Sequence, residues 1–363
     1  MGKISEKTLS DQKEAISEML EKIEKCRKSQ SKTLKIDLTE FPEEIRQLTG
    51  ITSLYQGINI IESKHRIDCC KKQKSKKLDL SYLYLGELPN ELPDLYWLEE
   101  LDLTSNDLTQ LPDWIGNYKK LTALNLNYNE LTSLPDSIGN LLKLKEIYFD
   151  LNRLHTLPET FGNLKSLEVF ILGEESHQNS CFTCLPESFG NLSSLKIFCV
   201  MDTRLASLPE SFGNLNKLRK LNIQECITND FHFPSTMKNL KALRELSLSG
   251  FDHVPDFTKE LKELTMLDIS HNRLYDLPDF IGNLTKLKIL NLHSTWIKEL
   301  PDWIGNFKNL ESLDISSNEI EADPKIIVKK LPKLKKFFDS NNIFNTEDNK
   351  KNNLTKRGRK KNV

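Results

Sequence analysis

Apolar residues along this chain recur about every 23 residues, and each recurring unit contains two different apolar spacings. In residues 121–143, which read LTALNLNYNELTSLPDSIGNLLK, Leu124 and Leu126 alternate with small or polar side chains. This alternation is the period of a strand that packs one face inward. The second half of the unit spaces its apolar residues more widely, around one proline and one glycine. The pattern predicts one short strand per unit, followed by a return limb with a brief helical turn.

Internal repetition extends over most of the chain. The heptapeptide LPDWIGN occurs at 111–117 and again at 300–306, 189 residues farther on. Three units have 28, 25 and 21 residues in place of 23, and the unit starts are Leu98, Leu121, Leu144, Leu167, Leu195, Leu218, Leu243, Leu264, Leu287 and Leu310. One unit cannot bury its own leucines, so successive units must stack and place their strands in a curved parallel sheet.

Three residues of the unit have predicted roles in its turns. Asn129 follows the strand, where its carboxamide can bond to backbone groups that neighbouring turns leave unpaired. Pro135 fixes the backbone of the return limb. Gly139 is expected to adopt the left-handed conformation that ends a short helical turn.

The units read LxxLxLxxNxLxxLPxxIGNLxx over about residues 75–344, and this motif resembles the leucine-rich repeat family, specifically its intracellular Ras-group type. Proteins of this type include adenylyl-cyclase repeat domains, Ras-pathway scaffolds, Scribble-like polarity proteins and bacterial Roco proteins. The resemblance implies an α/β repeat fold: a leucine-rich-repeat solenoid with a curved parallel sheet, short helical or 3-10 turns on the convex side and a helical N-terminal cap. It also implies a protein partner, for which small GTPases and phosphatases are candidates.

The two ends of the array depart from the repeat. Residues 23–36 align without gaps onto 67–80, which lie 44 positions later, as if a helix followed by a first strand had been duplicated. Asp323 and Pro324 predict the start of a helix over 325–331. We divide the chain into a helical N-terminal cap at 1–33, degenerate first repeats with a second cap-like helix at 34–74, about 11 repeats at 75–333, a terminal partial repeat at 334–344 and a disordered basic tail at 345–363.

Composition and cysteine content favour a folded protein inside the cell. Apolar residues make up 38% and charged residues 28% of the chain, and no run of 18 apolar residues occurs. The N-terminus has no apolar signal segment, so we expect a cytoplasmic protein, with nuclear location or delivery into a host cell left open. The cysteine count is 7, an odd number, which fits a reducing compartment.

One group of units carries apolar residues where the others are polar. Positions flanking the strand leucines face the inner surface of the solenoid, and at both ends of the array they are ordinary solvated residues such as Asp102 and Asn291. In the middle they form the apolar patch, which we define as Tyr148, Leu151, Val169, Ile171, Ile197, Cys199 and Met201. Asp150 and Glu174 belong to its charged rim. An apolar centre with a charged rim is typical of a protein-binding surface, so we predict that these residues contact a partner protein.

The longest unit adds five residues beside this patch, within the stretch GEESHQNSCFTC at 173–184. The added segment leaves the strand at Gly173 and rejoins the pattern at Phe182, so it should bulge at the rim of the apolar patch. It either builds one wall of the binding surface or covers Val169 and Ile171 as part of the core.

Three further features have weaker functional interpretations. The stretch from His177 through Cys181 to Cys184 resembles half of a zinc site, but no second pair completes it, so we predict no metal. Cys69 and Cys70 precede a lysine-rich stretch that is either a lipidated basic anchor or a helix end whose lysines complement the helix dipole. The tryptophans that lie off the inner face are a second contact area or a cover for repeat leucines: Trp114, Trp296 and Trp303.

The C-terminal segment reverses the charge of the body. Residues 325–361 hold 13 Lys/Arg against 3 Asp/Glu, whereas the remainder holds 38 against 49. The tail is a nuclear-import signal, a nucleic-acid or acidic-membrane contact, or a solubilising end. Its basic residues are Lys356, Arg357, Arg359, Lys360 and Lys361. No aromatic residues interleave with them, so nucleic acid is not expected as the main partner.

Enzyme motifs are missing from the sequence. It has no GxxxxGK[ST], GxSxG or HExxH, and its 7 histidines fall singly at loop or surface positions. We therefore expect a non-catalytic, monomeric scaffold or adaptor without a cofactor, acting in signalling or as a bacterial effector on host proteins. The alternative is association with nucleic acid or an anionic membrane through the basic C-terminal segment.

Overall fold

The structure, a computed structural model, describes residues 50–173, 181–226 and 231–345. The predicted cap at 1–33 lies outside the described residues, and so do Glu174 and the rest of the inserted segment at 174–180. The tail from residue 346 onward, including its predicted basic contact residues, also lies outside them.

Within the described residues, twelve parallel strands follow one another in chain order in a single open, curved sheet. They are β1 (Lys77–Asp79), β2 (Glu100–Asp102), β3 (Ala123–Asn125), β4 (Glu146–Tyr148), β5 (Val169–Gly173), β6 (Ile197–Met201), β7 (Lys220–Gln224), β8 (Glu245–Ser249), β9 (Met266–Asp268), β10 (Ile289–Asn291), β11 (Ser312–Asp314) and β12 (Lys336–Phe338). A stack of equivalent units produces this strictly sequential order. The predicted leucine-rich-repeat solenoid is therefore confirmed.

The alternation within each strand decides which side chains enter the core. In β3, Leu124 is fully buried between the half-exposed residues Ala123 and Asn125. Leu126, the next inward position, is also fully buried. The period-2 spacing therefore separates a continuous leucine core from an inner surface of outward side chains, as the pattern predicts.

Asn129 holds the turn that follows β3, which confirms its predicted role. Its buried Nδ2 donates to the carbonyl oxygens of Leu103 and Leu126, both at 2.9 Å. Its Oδ1 accepts the N–H groups of Asn106 at 3.1 Å and Leu108 at 3.0 Å. One side chain thus satisfies backbone groups in two neighbouring coils.

Other residues take the asparagine position in the middle of the array, where the strands are longer. Thr203, Cys226 and Phe251 stand at this position in successive units. Strands β5 to β8 have five residues each, against three in the others. Where asparagine is present, its Nδ2 takes a carbonyl that would otherwise accept an N–H from the next strand, as Asn152 does with Leu126 at 2.9 Å. In the middle of the array, between β5 and β8, the backbones pair directly over two more residues where that side chain is missing.

The return limbs carry short 3-10 turns, such as Asp136–Asn140. Gly139 in this turn is not left-handed, because the described glycines with positive φ are Gly86 and Gly250. The predicted conformation is therefore wrong, and the need for glycine has another cause. A methyl group at position 139 would overlap the backbone carbonyl of Thr160 in the next turn. The turns stack too closely to leave room for a side chain.

Phenylalanines fill the middle of the core beneath β4 to β6. The ring of Phe170 is stacked on that of Phe198, with 5.3 Å between centroids. Phe161 is stacked on Phe189 with 6.2 Å between centroids. These four side chains are fully buried. Close-packed rings give the strands above them a rigid support.

A helix covers the N-terminal edge of the sheet. Helix α1 (Gly50–Gln73) contacts β1 and places Ile67 and Cys70 in the core. The Trp97 Nε1 donates to the carbonyl oxygen of Ser75, at the junction between the helix and β1, at 3.0 Å. Within the described residues, no helix is long and apolar enough to cross a membrane.

The C-terminal helix is shorter than predicted. Helix α2 (Lys325–Val328) ends three residues before the expected 325–331 segment does. Asp323 Oδ1 accepts the Lys325 N–H at 3.1 Å, which fixes the start of the helix. Beyond Val328 the backbone bonds span three residues, so the chain continues as a tighter turn before β12.

Candidate functional site

The apolar patch lies on the inner face of β4, β5 and β6. In the register of the sheet, Val169 is opposite Ile197. Ile171 is opposite Tyr148 on one side and Cys199 on the other. Neighbouring strands lie about 4.8 Å apart, so side chains at opposite positions are close enough to contact one another. The patch is therefore continuous across three strands.

The patch residues differ in exposure. Six of them are half-buried, namely Tyr148, Leu151, Val169, Ile171, Ile197 and Met201. Cys199 has only 7% of its surface exposed, so it contributes little to the contact surface. Its side chain is small and lies between two larger neighbours, Ile171 and Asn222. Burial raises the pKa of the Cys199 thiol.

Charged residues flank the patch on both sides, and their signs differ. On β4, the Tyr148 hydroxyl donates to Glu146 Oε2 at 3.1 Å. Burial, and then the nearby Glu146 carboxylate, raise the pKa of Tyr148. On β7, Lys220 is opposite Ile197, and Gln224 is opposite Met201. The charged rim predicted from the sequence contained Asp150 and Glu174 but not Lys220, although counting strand positions from the unit leucine places Lys220 there.

Asp150 places a carboxylate at the edge of the patch, between β4 and β5. Its Oδ1 accepts the N–H of Gly173 at 2.7 Å, and its own N–H donates to Asn127 Oδ1 at 2.8 Å. Burial raises the pKa of Asp150, and the bond from Gly173 only partly opposes this effect. A partly desolvated carboxylate of this kind favours a partner group that donates a hydrogen bond or carries positive charge.

Leu151 lies where the strand turns away from the inner face. Its backbone is left-handed, with φ of 57°. Tyr128 occupies the equivalent position one unit earlier, also left-handed, with φ of 56°, and its side chain is exposed. Both residues directly precede the buried asparagine of their unit. This position extends the apolar surface from the inner face onto the edge of the solenoid, and sequence analysis missed Tyr128.

The inner face toward the N-terminus is polar. A shallow hollow of about 260 Å³ adjoins Tyr148 and is lined by residues of β1 to β4. Lys77 and Glu100 form an ion pair across it, with 2.7 Å between Nζ and Oε2. The apolar patch thus ends at Tyr148.

Two histidines that sequence analysis treated as isolated lie together near the C-terminal end of the inner face. The ring centroids of His271 and His293 are 5.0 Å apart. His293 Nδ1 is 2.8 Å from Ser316 Oγ, and that hydroxyl donates to Asp314 Oδ1 at 2.5 Å. Since serine has one hydroxyl proton, Nδ1 of His293 is the donor in the first bond.

The tryptophans predicted to lie off the inner face occupy two different environments. Trp114 and Trp303 pack partly against the leucine core. Trp296 is exposed, with the Arg273 guanidinium 5.7 Å from its ring centroid and the Tyr275 ring 5.8 Å away. Covering the core therefore accounts for the first two, whereas Trp296 belongs to an aromatic cluster on the surface.

The adjacent cysteines of α1 also differ from each other. Cys70 is buried in the core, where burial raises the pKa of its thiol. Cys69 is partly exposed, with its Sγ 3.5 Å from His65 Nε2. The helix ends shortly afterward, with Lys71 and Lys72 in its last turn. These positions favour the interpretation as a helix end with lysines at the negative end of its dipole.

Cys181 and Cys184 lie on the limb that follows β5, where Thr156 Oγ1 donates to the Cys184 carbonyl oxygen at 3.1 Å, and His177 lies outside the described residues. Cys184 is exposed, and its Sγ is 3.5 Å from Thr156 Oγ1. In the part of the chain that the structure describes, no three residues among His, Cys, Asp and Glu are grouped to hold a metal ion.

Three family models match the sequence. One describes a leucine-rich repeat region over 176–276, a second a leucine rich repeat over 262–320, and a third a leucine rich repeat over 97–118 and 120–141. No curated protein shows significant similarity to the chain.

Several solved structures are similar to this one. A leucine-rich repeat protein of Leptospira interrogans is 28% identical, with a TM-score of 0.52 over 74% of this chain and 78% of that one. The Arabidopsis receptor kinase HAESA, solved in complex with the peptide hormone IDA and the co-receptor SERK1, is 27% identical with a TM-score of 0.56. That match covers 73% of this chain and 46% of HAESA. An internalin of Listeria monocytogenes, at 21% identity and a TM-score of 0.56 over 78% of this chain and 89% of its own, shares the fold alone.

An open parallel sheet of stacked units, with an accessible inner face, defines a repeat solenoid. The chain belongs to the leucine-rich repeat family. The fold generally serves as a scaffold for protein–protein interaction, and leucine-rich repeat proteins are typically non-catalytic.

Proposed function

We propose that this protein is a non-catalytic scaffold that holds a partner protein against the apolar patch. The observation that carries this proposal is the contiguity of six half-buried apolar side chains on the inner face of β4, β5 and β6. Contiguous exposed apolar surface with a polar rim is characteristic of protein interaction sites. Val169, Ile171 and Ile197 lie at the centre of this surface.

The support beneath the patch favours binding without rearrangement. The strands that carry it pair over five residues and rest on stacked, fully buried phenylalanines. A preformed surface avoids most of the entropy loss of ordering a flexible one, so more of the contact energy appears as affinity.

The rim charges define the chemistry of the partner. Glu146 and Asp150 lie on the β4 side of the patch, and Lys220 lies on the β7 side. A complementary partner has an apolar centre and a basic or hydrogen-bond-donating group toward β4, whereas on the β7 side Lys220 Nζ is already paired with Glu245 Oε2, 3.7 Å away.

Two observations support a more specific role: the resemblance of the repeats to the Ras-group type, and the absence of disulfides among the described cysteines. The Ras-group motif suggests an intracellular, monomeric adaptor in signalling, with a small GTPase or phosphatase as partner, or a bacterial effector acting on host proteins. The six described cysteines are all free, which supports a reducing compartment. HAESA was solved with a peptide and a protein co-receptor, which supports macromolecular binding by a solenoid of this family.

The experiment compares capture of a partner by the wild-type protein and by the double variant Ile171→Asp/Ile197→Asp. Affinity capture from extracts of the source cell and of a host cell is quantified by mass spectrometry. Two carboxylates in the apolar centre should reduce capture of the specific partner at least tenfold. The melting curve should remain nearly unchanged, because both side chains are already half-exposed.

Ile289→Asp is the matched control. Ile289 lies in the same row of the sheet as Ile197, four strands away on β10, and is 43% exposed. This variant should capture the partner like wild type. Equal capture by all three proteins would contradict the proposal, and unfolding of the double variant would show that these side chains support the fold.

A further inference from the structure

The C-terminal edge of the sheet ends in a strand whose outer side has no partner among the described residues. The Lys336 N–H of β12 donates to the carbonyl oxygen of Glu311, and the Phe338 carbonyl accepts the Ile315 N–H. Successive residues of a strand direct their backbone groups to alternate sides. The N–H and C=O of Phe337 therefore point away from β11, toward the position of a further strand.

This edge is less covered than the N-terminal one. At the N-terminal edge, α1 packs against β1 and buries Ile67 and Cys70. At the C-terminal edge, Phe338 remains 49% exposed and Ile326 75% exposed. The terminal units of repeat proteins require a cap for their apolar face, so this end presents a surface suited to an added element.

The charge around β12 is strongly positive. Between 325 and 345 the chain has six lysines and one aspartate. Lys335 pairs with Glu311 at 2.7 Å, whereas Lys329 and Lys336 have no carboxylate partner in the described part of the chain. A strand docking here meets unpaired backbone groups, an exposed aromatic ring and unneutralised positive charge.

The chain's own tail and a second copy both have the wrong charge for this position. Residues 346–363 contain seven Lys/Arg and two Asp/Glu, so the tail has the same sign as the edge. Pairing of β12 with β12 of a second copy would bring two lysine clusters together, which is unfavourable for cross-strand neighbours. An acidic segment from a different protein has neither disadvantage.

We propose that β12 is the docking strand for an acidic, extended segment of another protein, which adds to the sheet as a further strand. Backbone hydrogen bonds to Phe337 hold the segment. Lys336 and Phe338 project from the same face of β12, so a segment with a carboxylate and an apolar side chain two residues apart matches them. This site is separate from the apolar patch, and neither depends on the other.

The test uses the full-length protein and fluorescein-labelled seven-residue peptides. One peptide has the sequence Glu-Thr-Val-Thr-Glu-Thr-Val, in which glutamate and valine lie two residues apart on the same face. A second replaces each glutamate with lysine, and a third is the acidic peptide N-methylated at the residues that would bond to β12. Fluorescence anisotropy should show binding of the first peptide only. Lys336→Glu should weaken it at least tenfold, and Lys119→Glu, at an exposed lysine far from β12, should leave it unchanged.

N-methylation tests backbone pairing without changing the protein, so a misfolded variant cannot decide the result. Equal binding of the N-methylated and unmodified acidic peptides would overturn the proposal, and so would equal binding by wild type and Lys336→Glu. Absence of acidic-peptide binding would show that the lysines only protect the edge from association. Binding of duplex DNA or phosphatidylserine vesicles in place of the peptide would also overturn it and would assign this end to polyanions.

Discussion

Asn129 Nδ2 donates to the carbonyl oxygen of Leu103, in the preceding coil, at 2.9 Å, and so joins two repeats through one buried side chain. Asn152 makes the equivalent bond to Leu126, also at 2.9 Å. Each such asparagine satisfies backbone groups that are sealed from water by the stacking of the coils. The series of asparagines is therefore a structural element of the solenoid.

Replacing Asn129 with alanine should lower the free energy of unfolding by about 3 kcal/mol, because buried backbone groups of two coils lose their partners. Urea unfolding followed by circular dichroism measures this change. The control is Asn140→Ala, at an exposed position in the return turn, which should alter stability by no more than about 0.5 kcal/mol. Equal losses for the two variants would contradict the assigned role.

Close stacking of the return turns predicts a large effect at Gly190. A methyl group there would overlap the carbonyl oxygen of Ser211 in the next turn, so Gly190→Ala should destabilise the protein by about 3 kcal/mol. At Gly173 a methyl group would have ordinary contacts, 3.7 Å from Asp150 Oδ1 and 3.8 Å from Met201 Cε. Gly173→Ala should therefore change stability by less than about 1 kcal/mol. Thermal unfolding of both variants measures these changes. A large loss at Gly190 alone supports steric exclusion, whereas equal losses at both positions would indicate a general need for the flexibility of glycine.

The raised pKa of Asp150 predicts a pH-dependent difference between wild type and Asp150→Asn. Since its pKa is higher in the folded state than in the unfolded chain, this group favours folding at acid pH, and the contribution is lost as the pH rises through the raised pKa. Asparagine keeps an acceptor for the Gly173 N–H and carries no charge. The variant should melt a few degrees higher than wild type at about pH 7 and equally at about pH 3.5. A difference that grows toward acid pH would contradict the assigned direction.

Much of the fold was predictable from the sequence because each unit repeats the same spacing of apolar and polar residues. The alternation of Leu124 and Leu126 identifies an inward strand face, and a unit that cannot bury its own leucines must stack. The role of Gly139 was not predictable in this way. A side chain at position 139 is excluded by the Thr160 carbonyl in the next turn. The residue pattern within one unit does not show how closely the turns of two units approach each other.

The position of the candidate site was also within reach of the sequence, since register alone places Val169 beside Ile197. The exposure of each residue was not, because it depends on the size of side chains on both flanking strands. Cys199 is covered for this reason. The contact between His271 and His293 was missed because His271 lies in a left-handed turn beyond the strand, where the period of 2 no longer applies.

Site-specific photo-crosslinking tests most directly whether the partner lies on the apolar patch. A benzophenone amino acid is introduced at Val169 on the inner face or at Asn214, an exposed residue of a return turn on the opposite side. The account predicts that the captured partner forms a covalent adduct with the protein labelled at Val169 and none with the protein labelled at Asn214. An adduct of the same partner at Asn214, with none at Val169, would contradict it.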